Sequence, residues 1–212
     1  MNIKANISNI LNDIDEKVQL VAVSKTKPTD YILEAYQAGQ RIFGENKVQD
    51  LVEKSAVLPD DIRWHMIGHL QSNKVKYIAP FVSLIHAVDS KKLLIEINKR
   101  AKQHDRVIHC LLQIHIAQES SKFGLNEDEA IELLEMNLAN VSIDGIMGMA
   151  TFTDDKQQIR SEFKSLKNTF EKAKNKFHKL SILSMGMSGD YDIAIEEGSN
   201  MIRIGSSIFG SR

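Results

Sequence analysis

Short apolar runs alternate with helix-period stretches along nearly the whole chain. The runs cover 18–24, 41–43, 62–67, 82–86, 107–116, 141–147, 180–184 and 201–204. Between them, apolar residues recur every three to four positions near 29–38, 47–57, 71–78, 90–103, 127–137, 155–176 and 189–197. This pattern predicts eight strands joined by seven helical crossovers. Strand–helix–strand units of this kind are right-handed and build a parallel sheet. Eight of them predict a single (β/α)8 TIM barrel, with a doubly wound open sheet as the rival. Ahead of the first run, Ile3, Ile7, Ile10, Leu11 and Ile14 share one helical face, which predicts an amphipathic helix packed on the outside. No Gly/Ser/Pro linker divides the sequence, so 1–212 reads as one domain with an N-terminal helix.

Composition narrows the partners. The chain has 212 residues, 42% hydrophobic and 26% charged, with a net charge of -1. That balance is ordinary for a globular protein and gives no electrostatic reason to expect nucleic acid or an anionic membrane. The single cysteine, Cys110, falls in an apolar run and is expected to be a buried, inert thiol. One cysteine rules out an intrachain disulfide framework and suits a reducing compartment. The N-terminus lacks a signal-peptide core and no run reaches membrane-span length, so the expected location is cytoplasmic.

In a barrel the loops after the strands form the active face, and phosphate commonly binds after strands seven and eight. At the end of the first run, Lys25 should share a face with Val21 and Val23. An amine there is poorly solvated, which favours its neutral, nucleophilic form. The alternative is a surface lysine that merely ends a strand. Lys27, directly before Pro28, is expected in solvent. After the seventh run, Ser184-Met185-Gly186-Met187-Ser188 can offer hydroxyls and close backbone N–H groups to an anion, or Ser188 can simply cap a helix. After the eighth comes Arg203-Ile204-Gly205-Ser206-Ser207, again small residues. Arg203 lies within an apolar strand and needs an acceptor, either a neighbouring carboxylate or a ligand inside the barrel.

Other polar residues at strand ends carry less. Asn46 is a candidate N-cap for the helix after the second strand, with ligand contact as the second role. His65 and His69 lie four apart on a strand and its loop, a spacing that does not reproduce the helical zinc motif. His86 and His115 are expected to be packed or supporting residues, and the strand-end methionines to be core filling. The sequence has no Walker A, GxGxxG, GxSxG or paired-cysteine pattern. A strand-end lysine, a candidate phosphate cup and an inward arginine suggest a phosphorylated aldehyde held as a Schiff base, with pyridoxal 5′-phosphate (PLP) leading.

Five blocks carry a resemblance: Ala22-Val23-Ser24-Lys25-Thr26-Lys27-Pro28, Phe43-Gly44-Glu45-Asn46, Trp64-His65-Met66-Ile67-Gly68-His69-Leu70-Gln71-Ser72-Asn73-Lys74, Ser184-Met185-Gly186-Met187-Ser188 and Arg203-Ile204-Gly205-Ser206. Their order and spacing resemble the YggS/PROSC family of PLP-binding homeostasis proteins from about residue 18 to residue 210. The resemblance implies a fold-type III barrel, like the N-terminal domain of alanine racemase, with PLP on Lys25. It implies phosphate contacts from Ser188, Gly205 and Ser206, Arg203 facing the pyridine nitrogen, and Asn46 and Met185 as pocket neighbours. Lys47 departs from the tyrosine that many members carry there. An arginine opposite the ring nitrogen disfavours the pyridinium, which weakens the electron sink. With the chain ending at Arg212, the second domain of alanine racemase is not expected. The implied function is PLP and amino-acid homeostasis by a monomeric carrier without a complete catalytic set, with apo PLP enzymes as possible recipients. The competing readings are a PLP enzyme acting on amino acids, such as a weak racemase, and a sugar-phosphate Schiff-base enzyme.

Overall fold

Strand β1 (Gln19–Val23) pairs in parallel with β2 (Ile42–Glu45) on one side and with β8 (Met201–Ile204) on the other, and that second pairing closes the sheet. The computed structural model describes residues 2–117 and 123–210. The remaining strands follow in chain order: β3 (Arg63–Met66), β4 (Leu84–Val88), β5 (Ile108–Gln113), β6 (Val141–Met147) and β7 (Ile182–Ser184). Closure excludes the doubly wound alternative.

The helices fall where the apolar periodicity places them. They are α1 (Ile3–Asp13), α2 (Thr29–Gln37), α3 (Val48–Ser55), α4 (Val75–Ile78), α5 (Lys91–Gln103), α6 (Glu127–Leu134), α7 (Lys156–Lys176), α8 (Tyr191–Glu196) and α9 (Ser206–Phe209). Local chemistry sets several starts. Asn2 caps α1, Asp155 caps α7, and Asn126 with Glu129 forms a reciprocal capping box on α6. Helix α9 was not foreseen, because four residues are too few to show a period. Helix α1 packs on the outside: Ile3, Ile7 and Ile10 are buried, and Asn6 donates to the carbonyl of Ile208 in α9 at 2.9 Å. Leu11 departs from expectation and is exposed.

Alternation along each strand divides the core in two. Val21, Ile42, Leu84, Leu111, Met147 and Met201 cluster inside the barrel. Their sequence neighbours Leu20, Ala22, Phe43, Ile85, Cys110, Leu112 and Ile202 belong to the larger core under the helices. Cys110 is fully buried, and burial pushes its thiol up, as expected of an inert cysteine. Among the described residues, no helix is long and apolar enough to cross a membrane.

The second strand begins one residue later than expected and runs two residues further. Gly44 and Glu45 break the apolar run in sequence, yet both lie in β2 and are buried.

Candidate cofactor site

The C-terminal ends of β1, β7 and β8 meet at one end of the barrel. Lys25 is half-buried in the turn after β1, two residues beyond Val23. Met201 points into the inner cluster, so Arg203, two residues on, faces the same way. Arg203 is only 4% exposed. Its guanidinium donates from Nη1 to Ser184 Oγ at 2.6 Å and from Nη2 to the Gly148 carbonyl at 3.1 Å. Both partners are neutral, so of the two alternatives for Arg203 a neighbouring carboxylate is not what holds it. Burial pulls the guanidinium down to about 10, with the charge of Asp190 opposing, and it remains charged at neutral pH.

Two small-residue turns are joined above it. Ser188 Oγ accepts from the Gly205 N–H at 3.2 Å. Ser188 is therefore not a helix cap; Asp190 occupies the N-cap of α8, with its carboxylate turned back to the Met187 N–H rather than capping the helix. Ser206 follows Gly205 as the exposed first residue of α9. The Gly186 carbonyl accepts from the Arg203 N–H at 3.0 Å, which fixes the β7 loop against β8. Ser188, Gly205 and Ser206 thus form one rim beside Arg203.

Asn46 stands exposed at the end of β2. The N-cap of α3 is Lys47, so capping does not occupy Asn46. Met185 is set apart from these residues: its side chain is fully buried in the outer core, and its N–H and carbonyl both bond Ser199 Oγ. Lys27 is half-buried rather than solvated, with its Nζ donating to the Gly210 carbonyl at 3.0 Å.

Inside the barrel, His86 Nε2 and His65 Nδ1 lie 3.0 Å apart, and Ser184 Oγ lies 3.5 Å from His86 Nδ1. Burial lowers His65 to about 3, with the charge of Arg63 adding to it. Burial also lowers His86 well below its ordinary value, helped by His65 and Arg203. Both imidazoles are neutral at physiological pH. His115, by contrast, is exposed rather than packed. Among the described residues, no group of three His, Cys, Asp or Glu side chains is placed to hold a metal.

The sequence matches the family described as "Alanine racemase, N-terminal domain" over residues 1–212. The pyridoxal phosphate homeostasis protein of Vibrio alginolyticus is 40% identical over 228 residues, an alignment covering 100% of this chain and 98% of that one. The chain belongs to the pyridoxal phosphate homeostasis protein family. The homologue from Aquifex aeolicus is 38% identical, covering 92% of this chain and 87% of its own. PipY of Synechococcus elongatus, solved with PLP bound, superposes with a TM-score of 0.90 at 33% identity over 98% of this chain. Alanine racemase from Clostridium difficile has a TM-score of 0.78 at 15% identity, and the match covers 57% of that chain. At that identity the likeness is one of fold.

Two groupings in this family member escaped the sequence. One is the interior line Arg203–Ser184–His86–His65, drawn from four strands. The other is a buried set of Ser24, Glu45 and Lys54 beneath the Lys25 turn. The signal available for the second was a glutamate ending an apolar strand, which needs a buried partner.

Proposed function

We propose that this chain binds PLP through Lys25 and serves PLP and amino-acid homeostasis, holding the cofactor without turning over an amino acid. The observation that carries the reading is the convergence of Lys25, the joined Ser188 and Gly205 turns, and Arg203 at one end of the barrel. PLP, when bound, supplies an aldehyde carbon and an electron-withdrawing ring. The residues present fit such a group. Ser188, Gly205 and Ser206 would hold its phosphate. Arg203 spends one bond on each of two neutral acceptors, which leaves guanidinium N–H donors for a ring nitrogen. Asn46, exposed and free of capping, is a further contact. Met185 would support the β7 loop from behind.

Arg203 remains charged at neutral pH, and a cation facing the ring nitrogen opposes its protonation. His65 and His86 are held neutral, so neither is poised to deliver a proton near pH 7. These properties favour a carrier over a racemase. The proposal extends to a monomer in the cytoplasm that can pass PLP to apo enzymes, a setting in keeping with one buried cysteine.

A visible spectrum with added PLP, followed by borohydride reduction and peptide mapping, tests the reading. A new absorption band and a label on Lys25 are expected. A label on another lysine, or no band, sinks it. Sustained turnover of an amino acid that is lost in Lys25→Ala would instead establish an enzyme.

A further inference from the structure

The turn that presents Lys25 is strained and is pinned from both ends. Lys25 and Thr26 are its central residues, and the Lys27 N–H closes it by donating to the Ser24 carbonyl at 3.1 Å. Thr26 has φ of 64°, in the left-handed region that a β-branched side chain avoids. Such a conformation persists only where its surroundings over-determine it.

Ser24 provides the restraint. It is fully buried and anchored through every polar group it has. Its N–H donates to the Gly44 carbonyl at 3.0 Å, and its hydroxyl donates to Glu45 Oε1 at 2.6 Å. Its carbonyl accepts from Lys54 Nζ at 2.9 Å as well as from Lys27. Lys54 reaches in from α3 and also pairs with Glu45 Oε1 at 2.7 Å. Glu45 is fully buried, and its Oε2 has no hydrogen-bond partner among the described residues. A buried ion pair with an unsatisfied oxygen is a poor source of stability, because apolar side chains of similar size would serve as well. What this pair does, and apolar side chains could not, is hold the carbonyl and hydroxyl of the residue before Lys25. On the far side, the bond from Lys27 Nζ to Gly210 fastens the turn to the chain beyond α9.

We propose that Ser24, Glu45 and Lys54 are positioning residues that keep the Thr26 turn in its left-handed form and so aim Lys25 into the barrel mouth. The proposal rests on Lys25 being the residue that holds PLP. Without the Lys54 bond, the Ser24 carbonyl can rotate, Thr26 relaxes to negative φ, and the lysine swings away.

The test compares the wild-type chain with a Glu45→Gln, Lys54→Met pair. Lys54→Met alone would strand a buried carboxylate and can unfold the protein. The paired variant removes both charges and keeps an amide oxygen to accept from Ser24. Without PLP, hydrogen exchange at the Lys27 amide is expected to quicken about tenfold while the amides of β3 to β6 stay as protected as before. With PLP and borohydride, label is expected on Lys25 but about tenfold more slowly. A folded variant with wild-type exchange at Lys27 and a wild-type trapping rate overturns the proposal. Label on another lysine in the wild-type chain overturns the reading of Lys25 instead. The two failures are told apart because the exchange measurement needs no PLP.

Discussion

Arg203 Nη1 donates to Ser184 Oγ at 2.6 Å, and that serine joins the arginine to the His86–His65 pair behind it. A guanidinium has no acceptor, so the serine oxygen must accept and its own proton is free to turn elsewhere. His86 Nδ1 lies 3.5 Å from it, within reach of that proton. On the far side, His86 Nε2 and His65 Nδ1 lie 3.0 Å apart and share one proton between two neutral rings. The line carries a single charge, at the Arg203 end that faces the mouth.

Ser184→Ala should therefore cost more than a serine hydroxyl usually does. It leaves a buried cationic donor without its acceptor, a loss of about 1.5–3 kcal/mol. Urea unfolding at pH 7.5 measures it. In the wild-type protein, nitrogen NMR should show both imidazoles neutral at this pH. A stability change below about 0.5 kcal/mol would mean that Arg203 finds another acceptor at once.

The buried imidazoles also set an acid limit. The folded pKa of each is depressed, to about 3 for His65 and well below ordinary for His86, so the unfolded chain takes up protons that the folded chain refuses. Stability is complete above the unfolded value and falls as pH drops through about 6.5. Between pH 7.5 and 5 the expected loss from His65 is about 2 kcal/mol, and His86 adds to it in the same direction. Glu45 acts in the opposite sense: burial raises its carboxyl above the ordinary value, so it gains stability as pH falls through that raised value and offsets part of the loss. Urea midpoints across this range, compared with a His65→Gln, His86→Gln variant, test the account. A variant as acid-sensitive as the parent would refute it.

The barrel was legible because nearly every strand announces itself as an apolar run, and because interior and exterior positions of a parallel strand are both apolar. Lys25, Ser188, Arg203, Gly205 and Ser206 stood out as candidates for a related reason. All but Arg203, which lies inside strand eight, follow strands one, seven and eight, where the topology puts ligand chemistry. The interior line did not, because His65, His86, Ser184 and Arg203 stand far apart in sequence and only closure brings their side chains across the axis. Glu45 misled the strand boundary for the same reason. Its partner, Lys54, sits on the next helix among residues that read as a solvated face. Lys27 was misjudged because Gly210, which holds it, lies at the opposite end of the chain.

Arg203→Gln removes the charge at the mouth and keeps a polar amide on a side chain two bonds shorter. The fold should survive, since no carboxylate is stranded by the loss. Borohydride should still trap PLP on Lys25. Affinity for PLP should fall about tenfold, and the pH dependence of the visible band should move as the ring nitrogen becomes easier to protonate. Unchanged affinity and an unchanged band would count against a guanidinium facing the ring.

Ser188→Ala separates the cup from the arginine. It removes the acceptor of the Gly205 N–H in a half-exposed place where water can substitute, so the stability cost should stay near 1 kcal/mol. Inorganic phosphate should protect the wild-type chain against thermal unfolding more than it protects the variant. Equal protection would place phosphate elsewhere.

Asn46 and Gly68 can be tested against each other, because they touch through backbone alone. A Cβ on Gly68 would fall 2.4 Å from the Asn46 carbonyl oxygen and 2.8 Å from its Cα. Those atoms belong to the main chain, so Gly68→Ala must push the end of β2 away from β3, at a cost of about 1–3 kcal/mol. Asn46→Ala leaves that contact alone and removes only an exposed amide that caps no helix, so stability should change by less than about 0.5 kcal/mol. If the Asn46 amide meets the bound cofactor, both variants lose PLP affinity several-fold, and Asn46→Ala does so without loss of stability. If only Gly68→Ala weakens binding, the position of the β2 end matters and the amide does not. Paired PLP titrations and urea melts distinguish these outcomes, and the exposed, uncapped place of Asn46 favours the first.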